Sequence, residues 1–143
     1  MNRKIFALFG MFIIGLVIGA LVIYLTPLKY SSIIEPKIKD IDPAKFYEEF
    51  KSSPDKFIFI DVRQKEAYMQ LHAEGSINLP LHTLYDERHN LPKKGKMIVL
   101  ICSGGRASGV GYSYLEHYGF RNIRRIEGGI EAWKERGLPV VGR

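Results

Sequence analysis

The stretch MIVLICSGGRAS, residues 97–108, decides the fold of this chain. It begins with Met97–Ile101, a continuous apolar run of the kind found in a strand that is buried on both faces of a sheet. Gly104 and Gly105 then permit a tight turn, and apolar side chains at helical spacing follow the turn. These residues predict a strand, a glycine turn and a helix, with Cys102 at the carboxyl end of the strand.

Similar patterns alternate along residues 37–143. Short apolar or alternating runs predict further strands at residues 37–41, 57–60, 76–79 and 122–126. Helix patterns begin near residues 42, 64, 107 and 129, and the first has an aspartate N-cap followed by proline. Alternation of strands and helices is typical of a mainly parallel sheet with helices on both faces. The sequence therefore predicts an α/β domain.

The amino-terminal part of the chain has a different composition. Residues 5–25 are all apolar apart from glycines and Tyr24. A helix of that length measures about 31 Å, close to the ~30 Å thickness of the hydrocarbon core of a bilayer. A cleaved signal peptide, the alternative, normally has a shorter apolar stretch and a small-residue cleavage site. The predicted organisation is a tail (1–4), a single-pass transmembrane helix (5–25), a linker (26–36) and a globular domain (37–143).

Basic residues flank the predicted transmembrane helix on both sides. Arg3 and Lys4 favour a cytoplasmic amino terminus, whereas Lys29, Lys37 and Lys39 favour the opposite orientation. Arg3 and Lys4 directly adjoin the apolar run, and long domains can be translocated whatever their charge. We therefore expect the domain on the extracytoplasmic side of the membrane. A domain on the cytoplasmic side is the alternative.

Composition excludes several classes of function. The net charge of +6 is spread along the chain, without the basic helix and interleaved aromatic residues expected of nucleic-acid binding. A diffuse positive field instead favours a small anionic substrate. The single cysteine excludes an intramolecular disulfide, and a thiolate metal site needs several cysteines. Cys102 is consequently either a packing residue or a reactive thiol.

The position of Cys102 favours the reactive thiol. In open α/β sheets, ligands bind beyond the carboxyl ends of the strands. Backbone N–H groups in a glycine turn at a helix amino terminus can hold an anion, and they favour the thiolate form of a cysteine. We therefore predict Cys102 as the nucleophile. The predicted substrate-binding residues are those of the loop that follows: Ser103, Gly104, Gly105, Arg106, Ala107 and Ser108.

Four motifs resemble those of the rhodanese-like domain family, in the family's order and spacing. They are DVRQKE at 61–66, YMQLHAEGSINLP at 68–80, CSGGRAS at 102–108 and IEGGIEAWKERGLPV at 126–140. Each motif alone is moderately specific, but the four together cover the chain from about residue 38 to residue 141. The domain is therefore similar to a single-domain rhodanese.

The resemblance implies a five-stranded, mainly parallel sheet with helices on both faces. It also implies a thiosulfate sulfurtransferase, in which the Cys102 thiolate takes the outer sulfur of thiosulfate and sulfite departs. The persulfide then passes its sulfur to cyanide or a thiol, which is covalent catalysis in two displacement steps. The loop N–H groups would stabilise charge on the reacting atoms. By the same resemblance, neither a metal nor an organic cofactor is required.

Some site residues depart from the family pattern or have a structural explanation. Many family loops carry arginine at the position of Ala107, whereas here the arginine is Arg106. Asp61 and Arg63 could touch substrate, but pairing or capping at the strand end is the favoured interpretation. For His72 we expect a local hydrogen bond, because an ionised thiol needs no general base.

Two other functions remain open. The first is a membrane-tethered persulfide carrier or binding module without efficient thiosulfate turnover. The second is a cysteine-dependent phosphatase or arsenate reductase, whose loop carries an arginine after five intervening residues. Here only three residues separate Cys102 from Arg106, so the phosphatase-type site is disfavoured.

Overall fold

The computed structural model describes residues 3–25 and 38–142. The chain divides into two compact units, one ending at Lys37 and the other beginning at Ile38. The first unit contains helix α1 (Arg3–Leu25), so the predicted helix is present and begins two residues earlier than expected. Residues 26–36, predicted as a linker, lie outside the described residues.

The predicted transmembrane helix at residues 5–25 is not confirmed. Among the residues that the structure describes, no helix is long and apolar enough to cross a membrane. The extracytoplasmic location of the domain stays a prediction.

The second unit is built on a five-stranded sheet in which every pairing is parallel. Its strands stand in the order β1, β6, β5, β2, β4. They are β1 (Asp40–Ile41), β2 (Phe57–Asp61), β4 (Ile77–Asn78), β5 (Met97–Ile101) and β6 (Ile123–Ile126). The predicted parallel sheet is thus confirmed, with β5 at its centre and shorter outer strands than the sequence patterns indicated.

A separate two-stranded antiparallel sheet was not predicted. It pairs β3 (Leu71–Ala73) with β7 (Val140–Gly142). The helix predicted for residues 64–71 therefore ends at Gln70, because Leu71 already belongs to β3.

Helices cover both faces of the parallel sheet. They are α2 (Pro43–Ser52), α3 (Lys65–Gln70), α4 (Leu81–Glu87), α5 (Arg106–His117) and α6 (Gly129–Glu135), with short 3-10 turns at Pro54–Lys56 and Arg88–Asn90. The Asp42 side chain caps α2 as predicted, because its Oδ1 accepts hydrogen bonds from the N–H groups of Ala44 (2.9 Å) and Lys45 (3.1 Å).

Side chains of β5 alternate between two cores, as expected of a central strand. Ile98 and Leu100 pack in the core that includes Tyr112 and Leu115 of α5. Val99 and Ile101 pack in the core beneath α2 and α6. In this second core the Trp133 ring lies 5.5 Å from that of Phe59, and its Nε1 donates to the Pro139 carbonyl at 2.9 Å. Burial on both faces fixes the carboxyl end of β5, which positions the residue that follows it.

Candidate functional site

Cys102 directly follows β5 and is almost completely buried, with 2% of its surface exposed. Its Sγ accepts a hydrogen bond from the N–H group of Gly105 at 3.2 Å. The hydroxyl Oγ of Ser108, itself fully buried, lies 3.2 Å from the same sulfur. Two protein donors can therefore stabilise negative charge on this sulfur, as the predicted anion-binding loop requires.

The glycine turn brings these donors to the sulfur. Gly105 has φ +97°, a left-handed conformation that favours glycine, and α5 begins at the next residue. The helix starts at Arg106, one residue before the start that the sequence pattern indicated. The amino terminus of α5 consequently lies beside Cys102 and adds the partial positive charge of the helix dipole.

The start of α6 holds the other side of the loop. The N–H group of Ile130 donates to the Cys102 carbonyl at 2.8 Å, and that of Glu131 donates to the Ser103 carbonyl at 3.2 Å. Gly129 has φ +63°, and a Cβ at this position would overlap both carbonyl oxygens. The loop at residues 102–108, called the active loop below, therefore packs directly against Gly129 of α6. The sequence analysis did not assign this role to Gly129.

An open cavity of about 520 Å³ lies over the sulfur. It brings together six of the predicted site residues, namely Arg63, Cys102, Ser103, Gly104, Arg106 and Ala107. Gly105 and Ser108, the other two residues of the predicted loop site, are buried. Two apolar residues that the sequence analysis missed, Leu81 and Val110, complete the wall. The cavity is thus lined by both cationic and apolar side chains.

Asp61 and Arg63 form a buried ion pair at the end of β2. The Arg63 guanidinium donates from Nε to Oδ1 at 3.0 Å and from Nη2 to Oδ2 at 2.6 Å, and it also reaches the Leu71 carbonyl. The Asp61 side chain is fully buried, and that of Arg63 is 11% exposed. Structural pairing at the strand end, the favoured interpretation, is present, and Arg63 still reaches the cavity wall.

Replacing Asp61 with alanine is expected to lower the free energy of unfolding by about 3 to 5 kcal/mol, because it leaves a buried guanidinium without its partner. The matched control is Arg136→Ala, which breaks the more exposed pair with Asp42 and is expected to cost less than about 1 kcal/mol. Urea unfolding of both variants measures the difference. Equal, small losses would mean that the Asp61 pair is not structural.

His72 makes local contacts with Tyr68. Its Nδ1 lies 2.8 Å from the Tyr68 carbonyl, and its ring stacks on the Tyr68 ring with the centroids 3.7 Å apart. The Tyr68 hydroxyl in turn donates to the Ser76 carbonyl at 2.5 Å. The predicted local hydrogen bond is therefore present, and His72 is not among the residues that line the cavity.

Arg125 on β6 reaches the active loop, although the sequence analysis did not select it. Its Nη1 donates to the Gly105 carbonyl at 3.0 Å, while Nε and Nη2 bind the Asp40 carboxylate. The hydrogen bonds with Asp40 raise the pKa of Arg125, so the guanidinium stays charged. The available signal was the pair of arginines, Arg124 and Arg125, between the two apolar ends of the strand.

Within residues 3–25 and 38–142, no group of three or more His, Cys, Asp or Glu side chains could hold a metal ion.

Comparisons with known proteins agree with this geometry. The family model of the rhodanese-like domain matches residues 42–136. A tRNA uridine(34) hydroxylase from Photorhabdus laumondii is 34% identical over 119 residues, which cover 69% of this chain and 33% of that protein. The chain spans between about a quarter and a half of the length of the curated relatives that it matches.

Solved structures show the same fold. A rhodanese-related protein from Thermoplasma volcanium has a TM-score of 0.64 at 30% identity, covering 73% of this chain and 99% of that one. A thiosulfate sulfurtransferase from Pseudomonas aeruginosa also has a TM-score of 0.64, with 76% of this chain and 20% of that one covered; at 18% identity it is similar in fold alone. The family model accounts for most of the C-terminal unit, and the chain therefore belongs to the rhodanese-like domain family.

Proposed function

We propose that this protein is a sulfurtransferase that carries sulfane sulfur as a persulfide on Cys102. The observation that carries the proposal is the pair of donors on the sulfur, the Gly105 N–H group and the Ser108 hydroxyl, at the base of an open cavity. Donors at this place stabilise both a thiolate and the persulfide anion made from it.

The reaction proceeds in two displacements on sulfur. The Cys102 thiolate attacks the outer sulfur of thiosulfate, a new S–S bond forms, and the old S–S bond breaks with its electron pair leaving on sulfite. An acceptor such as cyanide then attacks the outer sulfur of the persulfide and leaves as thiocyanate, which regenerates the thiolate. Each step conserves charge and needs no external oxidant or reductant.

The residues around the cavity have separate tasks. Arg106 lies on the cavity wall and brings positive charge to a site for a dianionic donor, whereas Arg63 lines the same wall with its charge already paired with Asp61. The N–H groups of the loop stabilise the sulfur that carries charge after each step. The loop arginine is residue 106 rather than residue 107. Arg106 is the exposed first residue of α5, where it can meet the donor as the donor enters the cavity.

A persulfide carrier that serves a larger thiol is the second candidate. The volume of about 520 Å³ lies within the range of cavities that hold drug-sized ligands. The cavity lining also includes the apolar side chains of Leu81, Ala107 and Val110. Neither thiosulfate nor cyanide has an apolar group that would bind to them. These features favour an organic or protein thiol as the physiological acceptor.

Treatment of the full chain with thiosulfate is expected to add about 32 Da, the mass of one sulfur atom, as a persulfide. Intact-mass spectrometry assigns the adduct without digestion, because the chain has a single cysteine. Cyanide is expected to remove the adduct and release thiocyanate, which a ferric-thiocyanate assay detects. An adduct that forms without continued turnover would favour the carrier, and the absence of any adduct with thiosulfate or an organic persulfide would contradict both functions.

A further inference from the structure

The carbonyl oxygen of Gly105 has more hydrogen-bond donors than it has lone pairs. It accepts from the N–H group of Gly109 at 3.0 Å, the hydroxyl of Ser108 at 3.1 Å and Nη1 of Arg125 at 3.0 Å. A carbonyl oxygen has two lone pairs, so the three donors compete. Ser108 is the donor with another acceptor within reach, because its Oγ also lies 3.2 Å from the sulfur of Cys102.

The Ser108 hydroxyl has a single proton, so its two contacts depend on the protonation state of Cys102. While the hydroxyl donates to Gly105, its contact with the sulfur needs the S–H group of a thiol as donor. A thiolate has no proton to donate, and Ser108 must then turn its own proton towards the sulfur. The Gly105 carbonyl keeps two donors, Gly109 and Arg125, which match its two lone pairs.

We propose that Arg125 is a positioning residue for Cys102: it holds the Gly105 carbonyl and thereby frees the Ser108 hydroxyl to donate to the thiolate. The proposal rests on the sulfur-transfer function above and deepens it. Asp40 fixes the guanidinium, since its Oδ1 lies 2.6 Å from Nε and its Oδ2 lies 2.7 Å from Nη2. Nη1 is the nitrogen left for Gly105.

Helix α5 makes room for this guanidinium at Gly109. A Cβ at Gly109 would come within 2.9 Å of Nη1 of Arg125, and its next neighbour, Cδ1 of Ile38, would be 3.5 Å away. Contacts below 3.0 Å are not tolerated, so a side chain at Gly109 has to displace the guanidinium. The buried glycine in the first turn of α5 therefore has a function beyond helix packing.

Other charged groups also surround the sulfur. Arg63 after β2 and Arg106 on α5 line the same cavity, and the Asp61 carboxylate is paired with Arg63. On α6, the Glu131 carboxylate lies 3.3 Å from the place of a Cβ on Gly104. Arg125 and a charged Cys102 also attract each other, and the Asp40 carboxylate paired with Arg125 opposes that attraction. Arg125→Lys, which keeps the charge but not the geometry of the guanidinium, separates this charge effect from the hydrogen bond with Gly105.

The pH dependence of Cys102 alkylation by iodoacetamide in the full chain tests the proposal. Arg125→Gln is expected to move the midpoint of the profile up by about one pH unit, because the thiolate loses one donor. Arg125→Lys is expected to move it similarly, since a single ammonium cannot bind Asp40 at both oxygens and also reach Gly105. The control Arg124→Gln, on the same strand, should match wild type. A wild-type profile in Arg125→Lys would assign the effect to charge and overturn the proposal.

A double substitution tests whether Arg125 acts through Ser108. Ser108→Ala should raise the midpoint by itself, and adding Arg125→Gln should then change it no further, because residues that act through one another are not additive. If Arg125→Gln shifts the profile equally in both backgrounds, Arg125 does not act through Ser108 and the proposal fails.

Gly109→Ala leaves Arg125 in place but displaces its guanidinium. The helix itself should tolerate alanine, which is a better helix former than glycine, so relief of the overlap falls on the guanidinium that Asp40 holds. We expect a melting temperature no lower than that of Arg125→Gln, with the alkylation profile shifted as in that variant; a wild-type profile would contradict the proposal. Alkylation needs no sulfur donor, so its outcome is independent of whether thiosulfate gives a persulfide.

Discussion

Replacing Cys102 with serine is expected to reduce sulfur transfer from thiosulfate to cyanide by at least about a thousand-fold, the loss typical of removing a nucleophile. The serine hydroxyl is close in size to the thiol and can keep the contact with Ser108, so the fold should be retained. It does not ionise near neutral pH, however, and it cannot hold a sulfane sulfur. A thiocyanate assay at saturating thiosulfate measures the loss.

The same variant supplies its own structural control. The chain then contains no thiol, so thiosulfate should add no mass and iodoacetamide should not label it. Its melting temperature should lie close to that of wild type, because the side chain of Cys102 is exchanged for one of similar volume. Thiocyanate formation at the wild-type rate in Cys102→Ser would remove the persulfide mechanism altogether.

Replacing Gly129 with alanine is expected to lower the free energy of unfolding by about 3 to 5 kcal/mol, at the upper end of single substitutions. Two effects add. Left-handed backbone costs a residue with a side chain about 1 to 2 kcal/mol. In addition, the new methyl group would overlap the carbonyl oxygens of Cys102 and Ser103, which are rigid backbone atoms. Relief of the overlap must move the active loop, so sulfur transfer should fall as well.

Gly137→Ala is the matched control for the overlap. Gly137 has φ +65°, nearly the same as the +63° of Gly129, but a Cβ there would have nothing within 4 Å. It should therefore lose only the backbone contribution of about 1 to 2 kcal/mol and keep its activity. Chemical unfolding and thiocyanate assays of the two variants isolate the steric part. Equal losses would mean that α6 does not support the loop.

The parallel sheet could be predicted because each of its central strands has a recognisable pattern within a few consecutive residues. The apolar runs in β2 and β5 reflect burial on both faces, and Asp42 with Pro43 marked the start of α2. The pair of β3 and β7 could not be predicted in this way. Each has three residues, and what fixes them is backbone pairing between residues about 70 positions apart, for which neither segment has a local pattern.

The candidate site also combines residues that are adjacent in sequence with residues that only the fold brings together. Cys102 and its loop are contiguous in sequence, so one motif indicated both the predicted nucleophile and the donors that follow it. Asp40 and Arg125 approach the loop from other strands, and the Gly129 contact comes from another helix. Their relation to the loop is set by tertiary packing. It could be found only when the three-dimensional neighbours of the loop were known.

The pairing of Asp40 with Arg125 also has a consequence for synthesis of the chain. These residues are 85 positions apart. They join β1, the first strand of the parallel sheet along the chain, to β6, the last strand of that sheet along the chain. Contacts between distant residues form late, because a long loop must be closed before they yield any stabilisation. Asp40 is synthesised before the loop at residues 102–108, but Arg125 and the start of α6 are synthesised after it. A nascent chain thus holds the complete loop before the contacts that brace it can form. We infer that full reactivity of the thiol appears only after translation has passed β6 and the sheet has closed.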